Sequence, residues 1–176
     1  MTGSSVAHLD VRVDDLAFYH GDAIIRPVTA DLSATTALLR RLEQAAGPEL
    51  TAQLRLTEPL AVGSAIVTGA GRLEADLLVH AVIASDTEPV TESTVRRAFL
   101  SALERAEGWA LDGVAVPPLG LGAGNLEIET SARVMLEALA QHRGRGAAFP
   151  AHLTIVVERE DEAVPFHYHA TRLGLA

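Results

Sequence analysis

The chain of 176 residues contains no cysteine, which excludes disulfides, thiolate nucleophiles and cysteine-built zinc or iron-sulfur sites. Aromatic residues make up only 4% of it, leaving little material for a base-stacking platform. Basic residues are also scarce, with 14 Lys and Arg against 23 Asp and Glu and a formal net charge of -9. Neutralising a nucleic-acid backbone requires a basic stripe, so no nucleic-acid partner is expected. No apolar run is long enough to cross a bilayer, and the opening MTGSSVAHLDVRVDD has neither the basic flank nor the apolar stretch of a signal peptide. The expectation is a soluble, cytoplasmic protein with no membrane association.

What is present is a chain with 48% apolar content, enough for one well-buried core and short for two, so residues 1–176 are expected to form a single domain. Strand and helix patterns alternate along it. His8 to Val13, Ala23 to Val28, Ser64 to Thr68, Leu77 to Ile83, Leu111 to Leu119 and Leu153 to Val157 read as strands. Thr35 to Ala46, Glu92 to Glu107, Ile128 to His142 and the C-terminus read as helices, with a helical turn over Glu49 to Leu56. Arg143 to Pro150 reads as a flexible loop, and Trp109 is expected to cover the edge of the core. This order predicts an α/β fold of three layers, α/β/α, with a mixed, largely parallel central sheet.

Ligands of such sheets lie beyond the carboxyl ends of the strands, where two glycine-bearing stretches fall. One is VGSAIVTGAGRLEADLLVHAV, Val62 to Val82; the other is VAVPPLGLGAGNL, Val114 to Leu126. Between a strand and a helix, the amides of Gly120, Leu121, Gly122, Ala123, Gly124 and Asn125 can line a diphosphate with the helix N-terminus facing it. A glycine-rich turn of this kind is also often only a turn.

Together these stretches resemble the macro domain family, whose members bind ADP-ribose and related nucleotide ends. The family's "DAIVNAAN" segment and following "AAG" are similar to Asp22 to Thr29 and Ala45-Ala46-Gly47. Its "GDI" aligns with Asp14-Asp15-Leu16, and its "TGAGRL" and "VIHAVG" segments with Thr68 to Leu73 and Val79 to Ile83. The resemblance spans about Val11 to Leu139. It implies that Asp15 accepts a hydrogen bond from the adenine amino group, that Leu16 packs on the ring, that Gly120 to Asn125 hold the diphosphate, and that Thr29 lies toward the distal ribose. His80, in the second strand segment, is expected to be structural.

Departures from the family pattern shape the functional expectation. Hydrolytic members use an asparagine of "NAAN", and Arg26 and Thr29 stand at the two asparagine positions, neither offering an amide's paired donor and acceptor. The family's glycine run reads Ala34-Thr35-Thr36-Ala37, which adds β-carbons where a backbone approaches the sugar. In the second loop, Gly124 replaces an aromatic residue and Leu121 a hydroxyl. No catalytic residue, cofactor or metal site is therefore assigned. His167-x-His169 falls on an expected helix, which splays the two rings by about 200°. No G-x-S-x-G elbow or dinucleotide fingerprint occurs.

Three readings remain open at this level. The first is a divergent macro-like domain that binds ADP-ribose or another small anionic nucleotide without hydrolysing it. The second is a noncatalytic structural module whose filled cleft supports self-assembly as a homo-oligomer. The third is a hydrolase acting through unfamiliar residues such as Asp31 or Arg26.

Overall fold

In the computed structural model, residues 7–55 and 58–176 are described. Six strands, β1 (His8–Val13), β2 (Ala23–Thr29), β3 (Ala65–Gly69), β4 (Leu77–Ala84), β5 (Gly113–Val116) and β6 (His152–Val157), form one sheet in the order β1-β6-β5-β2-β4-β3. Every pairing is parallel except that of β3 with β4. The interior strands β2, β4, β5 and β6 are buried almost throughout, the pattern of strands covered on both faces.

The two faces bury separate apolar clusters. Ile25, Val79, Val114 and Ile155 meet the helices α3 (Glu92–Gly108), α4 (Ile128–Gly144) and α5 (Glu160–Arg172), packed through Phe99, Met135 and Phe166. Ile24, Val28, Leu78 and Val82 point the other way, against α1 (Ala37–Ala46), α2 (Pro48–Arg55) and a short 3-10 turn at Leu16–Phe18. Alternate residues of one strand thus feed opposite cores, as the two-residue strand period requires. The three-layer α/β/α arrangement with a mixed, largely parallel sheet matches the sequence expectation. No helix among the described residues is long and apolar enough to cross a membrane.

Four local expectations need correction. The strand expected over Leu111 to Leu119 is only Gly113–Val116, because Pro117 and Pro118 carry no amide to extend the ladder. The turn expected at Glu49 to Leu56 is a helix beginning on Pro48, whose fixed φ suits a first helical position. Arg143 and Gly144 finish α4 instead of opening a loop, and the Arg143 guanidinium bonds the His8 carbonyl at 2.9 Å. Trp109, the residue after α3, is exposed and covers no core edge.

Two devices set how β2 and β5 run together and then part. Asp22 accepts hydrogen bonds from the amides of Asp112, at 2.6 Å, and Gly113, at 3.3 Å, pinning the start of β5 beside β2. Beyond that point the two strands pair only at Ala23 and Ile24 and then part. The walls of the opening carry Pro27, Pro117 and Pro118. Prolines have no N-H to leave unpaired where a ladder stops.

Candidate functional site

At the carboxyl ends of the parallel strands the surface holds two adjoining pockets. The one over β1, of about 520 Å³, is lined by Val13 to Phe18 and by Leu38, Arg41, Leu42 and Ala45 of α1. Its neighbour, of about 350 Å³, lies between Thr35–Leu39, Pro117–Pro118 with Leu121, and the end of β6. Leu38, Arg41 and Glu158 line both, so the two adjoin along one groove and these side chains stand at their junction. Each volume falls within the range of small-molecule sites, about 300 to 1,000 Å³.

Of the glycine loop, Leu121 lines the smaller pocket, whereas Gly122, Ala123, Gly124 and Asn125 line neither. The loop's Leu126 and Asn125 amides bond back to the Gly120 and Gly122 carbonyls, at 3.0 and 3.1 Å. Among the described residues, the amides of Leu121, Gly122, Ala123 and Gly124 form no hydrogen bond, leaving a row of unpaired donors in the loop. Asn125 therefore contributes no free backbone donor, unlike the others of the expected set. Gly122 has a φ of +132°, and a Cβ there would come within 3.2 Å of the Asn125 side-chain Nδ2 and 4.0 Å of the Thr35 carbonyl oxygen. Gly120 is buried beneath the loop, against Val95 and Leu126.

The helix end that faces this pocket is that of α1, not the α4 end expected from the sequence: the lining includes its cap and first turn, Thr36 to Leu39, and nothing from α4. Thr36 Oγ1 accepts from the Leu39 amide at 3.4 Å. The Ala37 and Leu38 amides are left at the positive end of the helix dipole.

Asp15 and Leu16 both line the larger pocket. One oxygen of Asp15, Oδ1, already accepts from the Ala17 amide at 3.0 Å and caps the 3-10 turn. The other faces no protein donor. Leu16 is buried in the α1-side core, so only its edge is offered to a ligand. The same pocket includes Phe18, 68% exposed on the turn, an aromatic surface that the composition had not promised. A single aromatic in a short turn gives no periodic signal, so only the structure reveals it.

Thr29 stands apart from the other expected residues. It lines a separate pocket with Ala30, Asp31, Pro59, Ser85, Asp86 and Thr87, and its hydroxyl bonds the Asp31 carboxylate. Asp31 also accepts from the Ser33 amide at 3.2 Å. The bonds from Thr29 and Ser33 hold its carboxyl below the usual range. Neither residue reaches the groove.

Arg26, at the other asparagine position, points from β2 into the α1-side core with no exposed surface. Its Nε donates to His80 Nδ1 at 2.9 Å, and its terminal nitrogens donate to Glu43 at 3.2 Å and to the Leu32 carbonyl at 3.1 Å. Burial pulls the guanidinium down from its ordinary value while Glu43 opposes the shift. Because His80 Nδ1 accepts, the ring proton sits on Nε2, 2.7 Å from Thr68 Oγ1, and Thr68 in turn donates to the Gly69 carbonyl at 2.9 Å. Burial, and then the Arg26 charge, depress the His80 pKa to about 3. The structural role expected of His80 matches this geometry. By gripping the Leu32 carbonyl, Arg26 also holds down the Thr29–Ala34 turn, in which Leu32 takes a φ of +66°.

Two carboxylates close the groove on the β6 side, Glu158 and Glu162. Burial raises the pKa of Glu162, with Arg159 opposing. His169 is buried and bonds Glu129 at 2.6 Å, whereas His167 is exposed. The described residues contain no cluster of three metal-ligating side chains.

Residues 27–135 match a family model described as Macro domain. An Aquifex aeolicus protein is 30% identical over 134 residues, covering 74% of this chain and 81% of the relative. A Mycobacterium tuberculosis protein is 26% identical over 139 residues, 79% of this chain but 39% of the relative, so the chain spans about two fifths of that protein's length. Among solved structures, the Trypanosoma brucei macrodomain in complex with ADP-ribose superposes with a TM-score of 0.81 at 16% identity, over 96% of this chain and 72% of the other.

Proposed function

The chain belongs to the macro domain family, and from that premise we propose that it binds ADP-ribose or a related nucleotide diphosphate in its groove without hydrolysing it. The observation that carries this reading is the pair of adjoining pockets, which extends from Asp15 and Phe18 to Leu121, where the run of unpaired loop amides begins. In the proposed pose adenine lies in the larger pocket, its amino group donating to Asp15 and its face on Phe18, and the diphosphate reaches the loop amides and the α1 N-terminus. The solved macrodomain with ADP-ribose supports the ligand class. A groove open to solvent favours binding over a filled cleft that serves self-assembly.

What the groove does not offer is a group placed for hydrolysis. Arg26 is buried and fully paired, and Asp31 lies in another pocket bonded to Thr29 and Ser33. Neither can position a water at a distal ribose, and a misplacement of about 1 Å already slows a reaction on the order of a hundredfold.

Calorimetric titration with ADP-ribose tests binding, and Asp15→Asn tests the pose. The asparagine keeps an oxygen for the Ala17 amide but presents an NH2 to the adenine amino group, so affinity is expected to fall about tenfold or more. An unchanged affinity in a folded Asp15→Asn variant places the base elsewhere. Release of ADP-ribose from a modified protein by the wild-type chain, above background, defeats the noncatalytic reading.

A further inference from the structure

The junction of the two pockets is crossed by an ion pair. Arg41 of α1 reaches Glu158, just past β6, with Nη2 3.3 Å from the carboxylate oxygen. The partners are 117 residues apart in sequence, so the contact joins the helical layer to the rim of the sheet over the middle of the groove. Both side chains are more than half exposed, at 63% and 54%. An exposed ion pair of this kind holds only weakly, and less so in salt.

Charge is unevenly distributed around it. Asp14, Asp15, Glu158 and Glu162 line the groove, and Arg41 is the one basic side chain lining either pocket among the described residues. A dianionic diphosphate entering this groove meets acid on two sides, and only Arg41 can answer it with a full positive charge. In this structure that charge is paired with Glu158.

We propose that Arg41 and Glu158 form a latch that the ligand's diphosphate opens. The guanidinium leaves Glu158 and takes the phosphate oxygens, for which its planar fork is well matched. Glu158, released, turns to solvent. Because the latch is weak, a diphosphate opens it readily, whereas a ligand without phosphate leaves the pair closed and the junction obstructed. Arg41 then selects for diphosphates, and Glu158 is a brake on their affinity. The proposal rests on the reading that a nucleotide diphosphate occupies both pockets.

The test is titration of the wild type, Arg41→Ala and Glu158→Gln with ADP-ribose at low ionic strength, with thermal melts to verify folding. Both positions are on the surface, away from either core. Arg41→Ala is expected to weaken binding about tenfold, and Glu158→Gln to strengthen it about threefold by freeing the guanidinium and removing a repulsive carboxylate. Opposite signs are the signature of the latch, since a pair that merely braces the groove weakens binding in both variants. Affinity unchanged in Arg41→Ala, or no better than wild type in Glu158→Gln, overturns the latch while leaving the groove as the binding site. Failure of the wild type to bind ADP-ribose or ADP overturns the reading of the groove and the latch with it.

Discussion

An arginine in an interior strand destabilises a fold unless its donors find acceptors, and Arg26 finds them in His80, Glu43 and Leu32. Arg26→Ala strips all three at once and leaves Glu43 without its charge partner. A loss of about 3 kcal/mol or more is expected, read as a lower midpoint in urea denaturation. His80 adds a pH dependence. Its folded pKa of about 3 lies well below the unfolded value of about 6.5, so between those values the unfolded chain binds a proton that the folded one does not. The contribution is fully present above pH 6.5 and is lost as pH falls toward 3. At pH 5 it has fallen by about 2 kcal/mol. Denaturation at pH 7 and pH 5 is expected to show that loss, and a His80→Gln variant, less stable throughout, to show a smaller one. Along the chain only the structural role of His80 was legible; its partnership with Arg26, Glu43 and Leu32 was not, because these come from four segments and a strand position does not reveal how deep its side chain runs.

At the scale of elements, the order and type of strands and helices were readable because apolar periodicity and glycine punctuation follow from local geometry. The limits of β5 were not, since two prolines ended it early. The groove was legible in part. The glycine loop announced itself by composition, whereas Phe18 and the pairing of Arg41 with Glu158 depend on which elements meet. The turn after β3 illustrates how elements join. Gly71 has a φ of +58°, and a Cβ there would collide with the Ala46 carbonyl oxygen at the end of α1, which also accepts from the Arg72 amide at 2.8 Å. Gly69, two residues earlier, has open space around it. Gly71→Ala is expected to cost about 2 kcal/mol or more through backbone strain and displacement of α1, and Gly69→Ala to be near neutral. A comparison of melting temperatures checks the contrast.

For the molecule as a whole, a net charge of -9 and a groove rimmed by carboxylates set the terms on which an anion enters. Local donors must outweigh a repulsive surroundings, so affinity for a dianion is expected to respond to salt in an unusual direction. Moderate salt screens the distant acids while the short hydrogen bonds from the loop amides persist. Binding to the folded state alone also stabilises it. ADP-ribose at a hundred times its Kd is expected to add about 2.7 kcal/mol, visible as a raised melting temperature, while ribose, which lacks phosphate and base, is expected to leave the melt unchanged. Equal shifts with both compounds would show that the groove does not read the nucleotide.

The buried grip of Arg26 on three partners also bears on how such a chain can change over generations. Replacing Arg26 by asparagine would strand Glu43 and His80 and free the Leu32 carbonyl, so a step toward an asparagine at this position passes through a less stable protein. Compensating changes at Glu43 or His80 are harmful while Arg26 remains, and the effects of such contacting residues do not add. Only coordinated substitution crosses that valley, and the arginine, once installed, is held by the partners gathered around it.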